Sequence, residues 1–99
     1  MLLAFSITPM GAGDSVSEAV TTAVRLVRAS GLPNETNAMF TNVEGSWDEV
    51  MGLLRQCVEA VAEQTPRVSV VAKLDYRPGS HDQLHAKVEK VERQLRAEP

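Results

Sequence analysis

Asn37-Ala38-Met39-Phe40-Thr41-Asn42-Val43-Glu44-Gly45-Ser46-Trp47-Asp48-Glu49-Val50 holds the only tryptophan of the chain, one of its two phenylalanines and a glutamate inside an apolar run. The pattern is a strand, a tight reversal, a short strand and a helix start. Asn42 or Gly45 can supply a positive φ at low steric cost, which puts the reversal near Thr41-Asn42. Ser46-Trp47-Asp48-Glu49 is a capping box, in which the Ser46 hydroxyl accepts from the Glu49 N–H while the Glu49 carboxylate reaches back to the Ser46 N–H. It opens a helix over Ser46 to Gln64, with Val50, Leu53, Leu54, Cys57, Val58 and Val61 inward and Thr65-Pro66 as its stop.

Upstream of this stretch, Leu2 to Thr8 alternates as a strand, with Leu3, Phe5 and Ile7 on one face and Ala4, Ser6 and Thr8 on the other. Pro9 to Asp14 is a glycine-bearing loop, and Ser15-Val16-Ser17-Glu18 is a second capping box. It starts a helix over Ser15 to Ser30, whose Val16, Ala19, Val20, Ala23, Val24 and Val27 form an apolar stripe. Gly31 suits the left-handed position that closes a helix. Asn34 to Phe40 and Thr41 to Glu44 read as the second and third strands. Downstream, Arg67 to Arg77 is a fourth strand with Val68, Val70, Ala72 and Leu74 sharing one face. Pro78-Gly79 is a turn, and Ser80 to Arg96 reads as a third helix opened by Ser80-His81-Asp82-Gln83. The order βαββαβ plus a helix predicts a ferredoxin-like α+β domain over residues 1–99. Such a domain is a four-stranded antiparallel sheet with two helices on one face and a C-terminal helix. The core is expected from Leu3, Phe5, Ile7, Val68, Val70 and Leu74 with the two helix stripes. The other sheet face then lacks a cover, and such faces bind ligands or second subunits.

Composition narrows the function classes. The chain is 43% hydrophobic and 23% charged, ordinary for a globular protein, with a net charge of −3. An acidic balance argues against nucleic-acid and anionic-membrane partners. Charge is uneven: residues 1–66 carry 3 basic and 8 acidic side chains (−5) and residues 67–99 carry 7 and 5 (+2), most simply solvated helix faces. The single cysteine, Cys57, excludes an intramolecular disulfide and suits a reducing cytoplasm. No apolar run reaches the ~20 residues of a membrane span, and the first residues alternate like a strand rather than a secretion signal.

Catalytic machinery is not visible. The Pro9–Asp14 loop lacks the pattern of a nucleotide-binding loop, and its glycines read more simply as a strand-to-helix connection than as a phosphate nest. His81 and His85 share an i, i+4 spacing, but a solvated helix start explains them better than a metal site, and no partner cysteine pair exists. Cys57 sits mid-stripe as a small buried hydrophobe. The polar candidates for a binding site are Glu44 beside Gly45 and Trp47, Asp75 on the uncovered face, and Ser6, Asn37 and Thr41 near them.

The chain resembles the thiamine-binding-protein-like family of small single-domain YkoF-type proteins. The residues that carry the resemblance are Pro9-Met10-Gly11, Ser30-Gly31-Leu32, Met39…Thr41…Val43-Glu44-Gly45 and Trp47-Asp48-Glu49-Val50-Met51. Further along they are Arg67-Val68-Ser69, Lys73-Leu74-Asp75-Tyr76-Arg77 and Lys87-Val88. The family often has Cys-His where this chain has Cys57-Val58. The resemblance implies a ferredoxin-like fold, homo-oligomers (dimers or tetramers) through sheet faces, and binding of thiamine or its hydroxymethylpyrimidine moiety without catalysis or a further cofactor. An aminopyrimidine presents a donor beside a ring acceptor, and a thiazolium is cationic. Glu44, Thr41, Asn37, Ser6 and Trp47 are ligand contacts of the right types, with Asp75 next. The competing expectation is an ACT-like regulatory or structural oligomer that senses another small metabolite.

Overall fold

A computed structural model describes residues 1–11 and 16–98. The Ser15 capping box and the Ala12–Asp14 part of the glycine loop lie outside them. The elements run β1 (Leu2–Met10), α1 (Val16–Ala29), β2 (Asn34–Thr36), β3 (Thr41–Glu44), α2 (Trp47–Ala62), β4 (Arg67–Asp75) and α3 (Ala86–Arg96). The sheet order is β2-β3-β1-β4 and every pairing is antiparallel. This is the ferredoxin-like α+β arrangement expected from the element order.

Register follows from side-chain parity. Leu3 pairs with Val43 and Leu74, Phe5 with Thr41 and Ala72, and Ile7 with Val70, so all share the helix-facing side. Leu2, Ala4, Ser6 and Thr8 fall on the opposite side with Asp75, Lys73, Val71 and Ser69. The core joins Leu3, Phe5, Ile7 and Val43 to Ala19, Ala23 and Val27 of α1 and to Val50, Leu53, Cys57 and Val61 of α2. Their burial supplies the main stabilisation, of order 1.5–3 kcal/mol for each large apolar side chain. β4 departs from the expected core. It is an edge strand, so Val68 and Val70 only flank the core, and Leu74 is 40% exposed although its partner Leu3 on the neighbouring inner strand is buried.

Three local expectations need correction. The reversal between β2 and β3 occupies Asn37–Phe40, not Thr41-Asn42, so the second strand stops at Thr36. The Asn37 side-chain oxygen accepts from the Met39 and Phe40 N–H groups, both at 2.9 Å, and the Asn37 N–H donates to the Phe40 carbonyl. A side chain closes this turn, so no residue in it takes a positive φ; neither Asn42 nor Gly45 does. Gly45 answers a different demand, since a Cβ there would lie 3.3 Å from Glu49 and Val50. The Ser80-His81-Asp82-Gln83 box does not form: α3 begins at Ala86, and His81 and His85 therefore precede it and share no helix face. β4 likewise ends at Asp75, short of Arg77.

The capping box of α2 is present in full. The Ser46 Oγ accepts from the Glu49 N–H at 3.2 Å and a Glu49 carboxylate oxygen accepts from the Ser46 N–H at 2.9 Å. Those bonds hold the exposed Glu49 carboxyl below its ordinary value. Gly31 takes φ +77° after α1, the left-handed closure expected there. α3 has no buried residue, and the radius of gyration of 15.4 Å exceeds the ~13 Å of a compact domain of this size because α3 extends away from the body.

Candidate functional site

A groove of about 530 Å³ lies where the end of β3, the start of α2 and the β4–α3 connection meet. The capping box sets its first wall. With Ser46 at the N-cap, Trp47 is the first helical residue, and its ring stays 51% exposed above the groove. Tyr76 follows β4 directly and is 65% exposed. The two rings meet edge to face, with centroids 6.4 Å apart and planes at 88°. Ser80, His81 and Asp82, in the β4–α3 connection, also line it. The ionisable lining is mixed: Glu44, Glu49 and Asp82 stand with Arg77, His81 and the Met1 ammonium, which donates to the Gly45 carbonyl at 2.8 Å. The two exposed rings favour a flat cation or a ring with donor groups.

Glu44 borders this groove but is 6% exposed and already engaged. One carboxylate oxygen accepts from the Gln83 N–H at 2.8 Å and the other from the Leu84 N–H at 3.0 Å. Bonds of this kind, from backbone N–H to carboxylate, offset the cost of burying the charge.

The remaining sequence candidates separate. Thr41 points to the helix side, 8% exposed, with its hydroxyl 3.4 Å from that of Thr36. With Ser6 and Asn37 it borders a second cleft of about 150 Å³, between α1 and the Asn37–Phe40 turn. Asp75 lies on the open sheet face, bordering a third cleft of about 340 Å³ with Asn37, Lys73, Lys87 and Val88. The structure thus brings Glu44 and Trp47 together at one groove, places Thr41, Ser6 and Asn37 at other clefts, and sets Asp75 both at the third cleft and, with Glu44, Arg77 and Ser80, at a small cavity of about 10 Å³. Tyr76, Arg77, His81 and Asp82 were missed as groove residues. Tyr76, the only tyrosine and one step past a strand, carried the one available signal.

The turn before α3 also has a side-chain tether: the His85 Nε2 lies 2.9 Å from a Glu35 carboxylate oxygen. Cys57 is fully buried, its thiol directed at the Ala23 carbonyl at 3.6 Å, and burial pushes it up to about 11. Among the described residues, no group of three or more His, Cys, Asp or Glu side chains is placed to hold a metal ion.

A sequence profile described as thiamine-binding protein matches residues 3–92. The chain belongs to the thiamine-binding protein family. It is 56% identical over 96 residues to the UPF0045 protein Mb1933 of Mycobacterium bovis, covering 96% of this chain and 94% of that one. The UPF0045 protein MJ1052 of Methanocaldococcus jannaschii is 33% identical over 86 residues, covering 87% and 86%. The crystal structure of MJ1052 superposes with a TM-score of 0.82 over 92% of this chain and 94% of that one, at 31% identity. TM0486 of Thermotoga maritima, described as a candidate thiamine biosynthesis or salvage protein, has the same fold. Its TM-score is 0.80 at 20% identity, over 91% of this chain and 96% of that one. Membership in this family points to small-molecule binding, and neither the family description nor the UPF0045 names carry a catalytic activity. Among the described residues no helix is long and apolar enough to cross a membrane.

Proposed function

We propose that this protein binds thiamine or its hydroxymethylpyrimidine moiety, without catalysis, in the groove beside Trp47 and Tyr76. The observation that carries the reading is the exposed edge-to-face pair of Trp47 and Tyr76 at a groove of about 530 Å³. That volume lies within the roughly 300–1,000 Å³ typical of small-molecule sites. A thiazolium set on an aromatic face gains about 0.5–2 kcal/mol. The pyrimidine amine donates to a carboxylate or a carbonyl of the rim, and a ring nitrogen accepts from a hydroxyl or a backbone N–H. The family description supports the same ligand class. Of the sequence candidates, Trp47 contacts the ligand in this reading, whereas Thr41, Ser6, Asn37 and Asp75 belong to other clefts.

The rest of the assignment rests on chain features. The open half of the sheet face, with Ser6, Thr8, Ser69 and Val71, is proposed as the surface through which copies of the chain associate. The lone buried thiol of Cys57 supports residence in a reducing cytoplasm.

Because Trp47 is the only tryptophan, its emission reports on the groove directly. Titration with thiamine, its phosphates, hydroxymethylpyrimidine and amino acids should change that emission for thiamine and hydroxymethylpyrimidine. Calorimetry supplies the affinity, and Trp47→Ala should lower it about tenfold while the fold persists. Absence of heat with every thiamine-related compound removes the ligand assignment. Binding of an amino acid without any change at Trp47 favours the ACT-like sensor instead.

A further inference from the structure

One wall of the groove is held by a buried residue at its border. Ser80, His81 and Asp82 line the groove with Trp47 and Tyr76, and the next two residues donate their N–H groups to Glu44, at 2.8 and 3.0 Å. Asp82 sits at φ +56°, the only non-glycine left-handed residue among those described, a conformation that persists where neighbours hold it. Within the segment, the Gln83 side-chain amide donates to the His81 carbonyl at 2.8 Å. Beyond it, α3 buries no residue of its own, so its tie to the sheet is made by the turn that Glu44 and Glu35 fasten.

We propose that Glu44 is a positioning residue: it fixes segment 80–84 as a wall of the groove and ties α3 to the open sheet face, without touching the ligand. Both of its oxygens are spent on backbone N–H groups under that wall, and its 6% exposure leaves it little surface for a ligand. The role in binding rests on the groove being the ligand site. A ligand that packs between Trp47 and the 80–82 wall binds the fastened state, so releasing the wall lowers apparent affinity by the fraction released. By linkage, an occupied groove steadies α3, whose Val88, Val91 and Leu95 are exposed.

Hydrogen exchange by NMR on Glu44→Gln tests this. The amide that replaces the carboxylate can accept from one N–H but presents its own NH₂ to the other. Exchange at Gln83, Leu84 and through α3 should accelerate about tenfold or more, while β1 and α2 amides keep their protection. The Gln83 and Leu84 amide protons, downfield in the wild type because they bond a carboxylate, should move upfield, and acrylamide should quench Trp47 more readily. Glu35→Gln, which removes only the His85 tether, should leave both amide shifts in place. Unchanged exchange and shifts at Gln83 and Leu84 in folded Glu44→Gln would overturn the proposal. Should that variant not fold, the wild type decides: protection at Gln83 and Leu84 well above that of His81 and Asp82 supports it, and exchange at the unprotected rate overturns it. Thiamine is then titrated into both proteins. No signal in the wild type counts against the ligand reading and leaves the exchange result standing, whereas equal affinity in a variant with a released wall overturns the positioning role.

Discussion

Cys57 gives the structure its most quantitative exposure to refutation. The thiol is fully buried between α2 and α1, and its titration is pushed from 9.0 up to about 11 by desolvation. The sign follows from which state holds the proton. The folded thiol keeps its proton above pH 9 while the unfolded one loses it, so unfolding gains free energy as pH rises from 9 towards 11. The stabilisation is fully present below pH 9. With values of 9 and about 11, the loss between pH 8 and pH 10 is about 1.3 kcal/mol, and the limit above pH 11 is about 2.7 kcal/mol at 1.36 kcal/mol per unit. Cys57→Ala removes this dependence. At pH 8 the variant should be about 1 kcal/mol less stable than wild type, for one lost heavy atom in a packed core. By pH 10 the two should be about equally stable. Urea unfolding of both proteins at pH 8, 9 and 10, with reductant present, measures the gap, and titrations common to both cancel in the difference. A gap that stays constant from pH 8 to pH 10 refutes the reasoning. So does labelling of the native thiol at pH 8 as fast as in denaturant, because only the thiolate reacts and burial withholds both it and the reagent.

Other outcomes follow from the same coordinates. Ser46→Ala deletes the acceptor that caps α2 and should cost about 1 kcal/mol in urea unfolding, with the first α2 amides exchanging faster; a cost near zero would mean that the box seen at 2.9 and 3.2 Å is not formed in solution. Association through the open sheet face should give a light-scattering mass at least twice 10.8 kDa at micromolar concentration, and Val71→Lys, opposite Ser6 on that face, should shift it towards the monomer; a wild-type mass of 10.8 kDa would remove the interface.

Where the sequence was legible, the physics was local. The α2 capping box spans four residues, and both partners of each bond lie within them, so Ser46 to Glu49 could be read without knowing the fold. Gly31 at φ +77° is equally local. Strand parity placed Leu3, Phe5 and Ile7 inward because a period of two leaves only one alternative. The misplaced reversal shows where locality is ambiguous. Asn37 and Asn42 are both competent turn residues, and the choice fell to Asn37 because its side chain closes the turn on Met39 and Phe40, leaving Thr41 and Asn42 free to pair with Thr36 and Glu35. Leu74 was misjudged for a different reason. Its parity is right, opposite the buried Leu3, but β4 lies at the sheet edge, and a strand's place in the sheet order is not written in alternation.

Glu44 is the case in which local and long-range bonding compete for the same donors. Ser80-His81-Asp82-Gln83 has the spacing of a capping box, which would satisfy the Gln83 N–H with the Ser80 hydroxyl and start a helix there. In the fold that N–H belongs to Glu44, 39 residues away, and so does the next one along. A carboxylate outcompetes a hydroxyl for a backbone donor, since bonds to an ionised acceptor are worth about 1.5–3 kcal/mol against about 1 for a neutral one. Two such bonds to one remote side chain divert the segment into a turn, delay α3 to Ala86 and put His81 and Asp82 against the aromatic groove instead of on a helix. The unusual feature of Glu44, an acid between Val43 and Gly45 on a strand that pairs on both sides, was visible from the start. Its partners were not, because backbone N–H groups have no residue type to search for. The same fact explains why a glutamate expected as a ligand anchor could not be matched in the sequence with the Gln83 and Leu84 N–H groups it accepts from.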